Sequence, residues 1–127
     1  MVNRRHLILI VDNDQAVCDS LQFALQLEGL SVHAHRGGSA LLADPDLSRA
    51  RCLILDERNP SMDGFALLGQ LHALNIRVPA ILLTNHATPR TKARAKSAGV
   101  RLVLEKPLMD NALADNIRLI VGSDPNT

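Results

Sequence analysis

Four groups of side chains in this 127-residue chain have types and positions that suit phosphoryl chemistry. Asp12, Asn13 and Asp14 follow the apolar run Leu7–Val11, and Asp56 follows Leu53-Ile54-Leu55. Thr84 closes the run Ala80–Leu83, and Lys106 follows Leu102-Val103-Leu104. Uninterrupted apolar runs of this length suit strands buried on both faces, as in a parallel sheet. In open α/β sheets ligands collect beyond the carboxyl ends of the strands, so these groups would meet along one edge. Carboxylate oxygens suit Mg²⁺, while an ammonium and a hydroxyl can hold phosphoryl oxygens. For Asp56 alone, a turn-capping role competes with the reactive one, since Pro60 and Gly64 turn the chain just after it.

The elements that must position these groups alternate regularly. Asp14 is placed to cap a helix carrying Val17, Leu21, Ala24, Leu25 and Glu28 at helical spacing, ended by Gly29. Leu30 to His35 reads as a second strand, and Ser39 as the cap of a short helix from Ala40 to Ala43. Arg51 to Leu55 forms the third strand. Asp63 caps a helix with Phe65, Leu68 and Leu71 on one face, beside Ala66 and Leu67. Val78 to Leu83 is the fourth strand, and a helix follows with Thr88 as cap and Pro89 at its first position, to Gly99. Leu102 to Leu104 is the fifth strand, and Asp110 caps a last helix with Leu113, Ile117, Ile120 and Val121 on one face. Five such alternations predict a five-stranded parallel sheet with helices on both faces. We expect one domain over residues 1–121, followed by a flexible tail or the start of a linker at 122–127.

Composition narrows the function. A net charge of +1 argues against a nucleic-acid-binding surface spread over the domain, and two Phe with no Tyr or Trp leave little means of stacking bases or flavins. The absence of G-x-G-x-x-G disfavours dinucleotides. Cys18 and Cys52 lie far apart inside apolar runs, as buried free thiols do. The N-terminal apolar run meets Asp12 too soon for a signal peptide or a membrane span, so a cytoplasmic location is expected.

In register with these elements stand Ile10-Val11-Asp12, Leu55-Asp56 with Pro60 and Met62-Asp63-Gly64, Leu83-Thr84, Ala98-Gly99 and Lys106-Pro107. Together they resemble the receiver domain of two-component response regulators, from Leu7 to about Val121. The resemblance implies a flavodoxin-like (βα)5 fold and an acyl phosphate formed on Asp56 from a histidine kinase or phosphotransfer protein. It implies Mg²⁺ held by Asp12, the residue at Asn13, Asp56 and the backbone carbonyl of Arg58. Thr84 and Lys106 would contact the phosphoryl oxygens, and the Lys106-Pro107 bond would be cis. Catalysis would be limited to phosphotransfer onto its own Asp56 and slow hydrolysis of the product. The motif around Asp12 also resembles the nucleophile motif of haloacid-dehalogenase-like phosphatases, but their terminal acidic metal motif and cap domain are missing.

Several positions depart from the receiver pattern. Asn13 stands where an acidic ligand is usual, so weaker Mg²⁺ binding is expected; Asp14 is read as a cap rather than its replacement. Asn85 replaces a small residue at the entry, and His86 lies near enough to affect hydrolysis. Arg58 is a candidate charged neighbour of the pocket. Val103 replaces the aromatic whose rotation carries the family's signal, and Leu108 replaces a frequent Phe. The fourth helix carries Arg90, Lys92, Arg94 and Lys96 with only Ala93, Ala95 and Ala98 for packing, which predicts a loosely held helix and a surface for an acidic partner or output domain. A homodimer is a further expectation, while direct nucleic-acid or membrane binding is not. These departures favour an alternative, a degenerate receiver acting as a phosphorylation-independent interaction module. His33 and His35 point to one side of a strand, with no third metal ligand evident nearby in sequence.

Overall fold

In the computed structural model, residues 6–59, 62–108 and 112–122 are described, with Arg58, Asn59 and Met62 as backbone. Strands β1 (Leu7–Val11), β2 (Ser31–His35), β3 (Cys52–Asp56), β6 (Ala80–Thr84) and β7 (Leu102–Glu105) form a parallel sheet in the order β2-β1-β3-β6-β7. The remaining strands, β4 (Arg58–Asn59) and β5 (Met62–Asp63), make a short antiparallel ladder just after β3. Helices α1 (Gln15–Leu27) and α5 (Ala112–Gly122) cover one face of the main sheet. The other face packs against α2 (Gly38–Leu42), the 3₁₀ turn Leu47–Arg49, α3 (Gly64–Ala73) and α4 (Pro89–Ser97).

The two faces follow from the two-residue period of a strand. Leu9, Val11, Leu53, Leu55 and Leu82 face α2 to α4, while Ile8, Ile10, Cys52, Ile54, Ile81 and Leu83 face α1 and α5. All eleven are at most 3% exposed, which is why these strands read as continuous apolar runs rather than alternating ones. Each such Leu or Ile side chain contributes about 1.5–3 kcal/mol through burial, enough to hold the strand ends in fixed register.

The helix signals mostly agree with the sequence reading. Asp14 caps α1, its Oδ1 accepting from the N–H groups of Ala16 and Val17, and Gly29 turns the chain at φ +85. Asp63 caps α3 through Phe65 N–H, and Thr88 caps α4 through Thr91 N–H ahead of Pro89. One expectation is corrected: Ser39 lies inside α2, whose N-cap is Gly37, because the helix starts earlier than its hydroxyl suggested. In α1 the buried side chains are Cys18 and Leu25, whereas Glu28 is solvent-exposed at the C-cap. In α3, Phe65, Leu67, Leu68 and Leu71 are buried but Ala66 is exposed. Gly122, expected in the tail, belongs to α5; the Pro60 turn, the Asp110 cap, the Arg58 side chain and residues 123–127 lie outside the described residues.

Helix α4 buries a single side chain, Ala95, with Ala98 half-buried beyond its end and Ala93 exposed. A polar contact to α3 adds to this packing. The Arg94 guanidinium lies 4.2 Å from the centre of the Phe65 ring and 3.6 Å from Asp63 Oδ2. No described helix is long and apolar enough to cross a membrane.

Candidate functional site

The carboxyl ends of β1, β3, β6 and β7 bring together Asp12, Asp56, Thr84 and Lys106. Asp12 is 1% exposed. Its Oδ1 accepts from Asp14 N–H at 2.9 Å, and its Oδ2 accepts from Lys106 Nζ at 3.0 Å. The same ammonium lies 3.5 Å from Asp56 Oδ1, so one cation bridges the two carboxylates. Burial alone would lower the Lys106 pKa; the hydrogen bond and charge of Asp12, then those of Asp56, outweigh it and raise the pKa above its ordinary value. Lys106 therefore stays charged, and its backbone is fixed by its N–H donating to the Thr84 carbonyl at 2.8 Å. The Lys106-Pro107 peptide is cis.

Asp56 is half-buried at the end of β3, with 15% of its side chain accessible. Behind it Gly64 approaches closely: a Cβ there would lie 2.7 Å from the Asp56 carbonyl oxygen and 3.3 Å from that of Glu57. Only glycine lets α3 start so near the end of β3, and Gly64 N–H donates to the Glu57 carbonyl at 3.1 Å.

Thr84 is buried at 3% exposure, and its hydroxyl does not stand open. It donates to Glu57 Oε1 at 2.5 Å and accepts from His86 N–H at 3.2 Å; the His86 carbonyl lies 3.3 Å away. A hydroxyl has one proton to donate, and the short contact assigns it to Glu57. The cause lies in the register. Asp56 pairs with Leu83, so the next residues along, Glu57 and Thr84, turn to the same opposite face. The sequence reading passed over Glu57; the pairing of β3 with β6 is the signal that finds it.

An open cleft of about 800 Å³ lies over Asp56 and Thr84, lined also by Glu57, Asn85, His86, Thr88 and the α4 residues Arg90, Thr91 and Arg94; Asp12 and Lys106 are not among its lining residues. Asn85 and His86 line this cleft, and both are exposed. Arg90 and Arg94 border the cleft, whereas Lys92 and Lys96 of the same helix are exposed and not among its lining residues. Asn13 is exposed beside Asp12, and its carbonyl accepts from Arg36 Nε at 3.3 Å. Val103 is half-buried on β7 against the α2 to α4 core, and Leu108 against the α1 and α5 core.

Both cysteines are buried and free. Burial, then the charge of Asp12, raises the Cys18 pKa, and burial pushes Cys52 up to about 12, so both are neutral packing groups.

A fold of this order with acidic groups and a lysine at its strand ends is a receiver. Residues 8–118 match the response regulator receiver domain family, and the chain belongs to it. It is 34% identical over 125 residues to the response regulator protein TodT of Pseudomonas putida, covering 98% of this chain and 55% of that protein. It is 35% identical over 108 residues to the transcriptional regulatory protein FixJ of Rhizobium meliloti, covering 85% of this chain and 53% of that protein. The chain thus spans about half the length of these relatives. Among solved structures, the response regulator StyR superposes with a TM-score of 0.83 at 30% identity, covering 94% of this chain and 60% of that one. A CheY-like receiver domain from Methanospirillum hungatei superposes with a TM-score of 0.82 at 26% identity, covering 94% and 95%.

Proposed function

We propose that Asp56 accepts a phosphoryl group from a histidine kinase or phosphotransfer protein. The observation that carries this reading is Lys106 Nζ placed 3.0 Å from Asp12 and 3.5 Å from Asp56. In the transfer, an Asp56 carboxylate oxygen forms a bond to phosphorus while the donor's P–N bond breaks, its electron pair remaining on the imidazole nitrogen. Lys106 supplies positive charge to the phosphoryl oxygens beside the new bond, in a pocket where preorganised charge replaces water. Thr84 becomes the second donor once its hydroxyl exchanges Glu57 for a phosphoryl oxygen. Asn85 and His86 at the entry control access of donor and of hydrolytic water.

The same pocket fits Mg²⁺ by donor chemistry. Two carboxylates, Asp12 and Asp56, converge on one ammonium, and the Asn13 amide and Arg58 carbonyl would add neutral oxygens to make a hard all-oxygen set. When bound, the ion neutralises phosphoryl charge. With Asn13 neutral, it binds more weakly than in an all-acidic pocket. Arg58 opens the short strand β4, two residues beyond Asp56 in the chain.

The relatives' names support an output in regulation, and we propose that the domain works in the cytoplasm with a kinase and an output domain, using the cationic α4 surface (Arg90, Lys92, Arg94 and Lys96) toward an acidic partner. A second reading is supported by Glu57 occupying the Thr84 hydroxyl and by Val103 in place of an aromatic: a receiver that binds its partner without phosphorylation. Incubation with acetyl phosphate and Mg²⁺ followed by intact mass separates the two. One phosphoryl adduct on wild type that Asp56→Asn lacks supports transfer, and no adduct at any Mg²⁺ concentration leaves the second reading.

A further inference from the structure

Outside the phosphoryl pocket, the described residues contain one further group with metal-ligating chemistry. His33, Asp44 and Asp46 each offer a ligand atom within 4.8 Å of the others. The two-residue strand period puts His33 and His35 on the same face of β2, the edge strand of the sheet. The chain then returns through α2 and sets Asp44 beneath both rings. Asp44 Oδ2 is 2.9 Å from His33 Nδ1 and 2.8 Å from His35 Nε2, and Asp44 Oδ1 accepts from Asp46 N–H at 2.8 Å. The sequence reading found no third ligand near the two histidines; Asp44 and Asp46 supply it.

We infer that His33, Asp44 and Asp46 form a site for a divalent transition-metal ion of the Zn²⁺ class, with His35 orienting the Asp44 carboxylate. Zn²⁺ binds imidazole nitrogen and carboxylate oxygen at about 2.0–2.2 Å in tetrahedral geometry, with three protein ligands and a water in open sites. Two ligand atoms on such an ion lie about 3.3 Å apart. The His33 to Asp44 distance of 2.9 Å has to widen by only a few tenths of an ångström to admit it. The ion takes the place of the proton between that nitrogen and oxygen; in the neutral ring this proton moves from Nδ1 to Nε2, and Nδ1 is left with its lone pair for the metal. The Asp44 side chain is 3% exposed and that of His33 is 38% exposed, so the site has a buried wall and an open entrance. His35, 19% exposed, donates to Asp44 in the way that a second-layer partner fixes a metal-binding carboxylate.

Competing groups are few. Arg49 Nη1 lies 3.2 Å from Asp46 Oδ1, but this pair is exposed and such pairs contribute about 1 kcal/mol or less. An imidazole nitrogen in the set selects against Mg²⁺, which prefers oxygen. The site is separate from the phosphoryl pocket in its ligands, though near it in the chain: the His35 carbonyl accepts from Asp12 N–H at 3.0 Å.

The test is a titration of the intact protein with Co²⁺ in a large excess of Mg²⁺, read by visible absorption. Tetrahedral absorption saturating at one equivalent is expected, and His33→Gln and Asp46→Asn should each need about tenfold more Co²⁺ or greater. Both positions are partly exposed, so circular dichroism verifies that the variants are folded. Asp56→Asn should leave the titration unchanged. The inference is overturned if no saturable absorption appears, if both ligand variants titrate like wild type, or if Asp56→Asn abolishes the signal.

Discussion

Asp12 and Asp44 are the two buried carboxylates among the described residues, at 1% and 8% exposure, and they are neutralised in different ways. Asp12 is held by a lysine that also reaches Asp56, so the two carboxylates share one cation. Asp44 is held by two imidazoles and a backbone N–H, and of these an imidazole nitrogen can also ligate a metal ion. Burial pushes the Asp44 carboxyl up, but the Asp46 N–H, then His35 and His33, outweigh it and hold the pKa at about 2. The same problem, a charge removed from water, is thus solved once by a fixed cation and once by adjustable donors. The first solution suits phosphoryl transfer, and the second suits binding a borderline metal.

Breaking the fixed cation should have the largest effect. Lys106→Met leaves Asp12 buried and facing Asp56 without its counter-charge, and we expect a loss of about 3 kcal/mol in urea unfolding at neutral pH. Asp12→Asn in the same background should recover much of it. Next comes the Asp44 side of the comparison. Because its folded pKa of about 2 lies below the ordinary 3.8, its contribution is present above pH 3.8 and is lost as the pH falls toward 2. Wild type should lose about 2 kcal/mol over that window relative to Asp44→Asn, measured by unfolding at stepped pH. Gly64→Ala, which forces a Cβ against the Asp56 carbonyl oxygen at 2.7 Å, should cost about 1–3 kcal/mol and slow phosphoryl uptake, leaving the His33 site intact.

A smaller change sharpens the chemistry of the Asp12 side. Glu57→Gln removes a negative charge next to Asp56 and weakens the hold on Thr84, so acetyl phosphate should label the protein a few-fold faster in an intact-mass time course. A rate equal to wild type would mean that the Glu57 contact does not hold Thr84 back. The smallest effect belongs to Arg94→Lys in α4, where loss of the planar contact with Phe65 should cost about 0.5–1 kcal/mol, seen as a small shift in urea midpoint.

Much of this was legible in the sequence because it depends on period and position. Apolar runs ending in Asp12, Asp56, Thr84 and Lys106 fix a parallel sheet and place their last residues on one edge. The caps Asp14, Asp63 and Thr88 were readable because capping is local. The Asp44 cluster was not: His33 and His35 share a face by period, but the path from β2 through α2 to Asp44 follows no period. The Glu57 to Thr84 bond needed the β3–β6 register, which periodicity alone does not supply. The expected looseness of α4 agrees with its single buried alanine, yet the Arg94 contact with Phe65 and Asp63 was invisible until α3 and α4 were placed together.

The most direct test of the account maps the phosphoryl group to its residue. After incubation with acetyl phosphate and Mg²⁺, borohydride reduction converts an aspartyl phosphate to homoserine, and peptide mass spectrometry locates it. The account predicts homoserine in place of Asp56 alone; homoserine in place of Asp12, or no reduced residue in the folded protein, would contradict it.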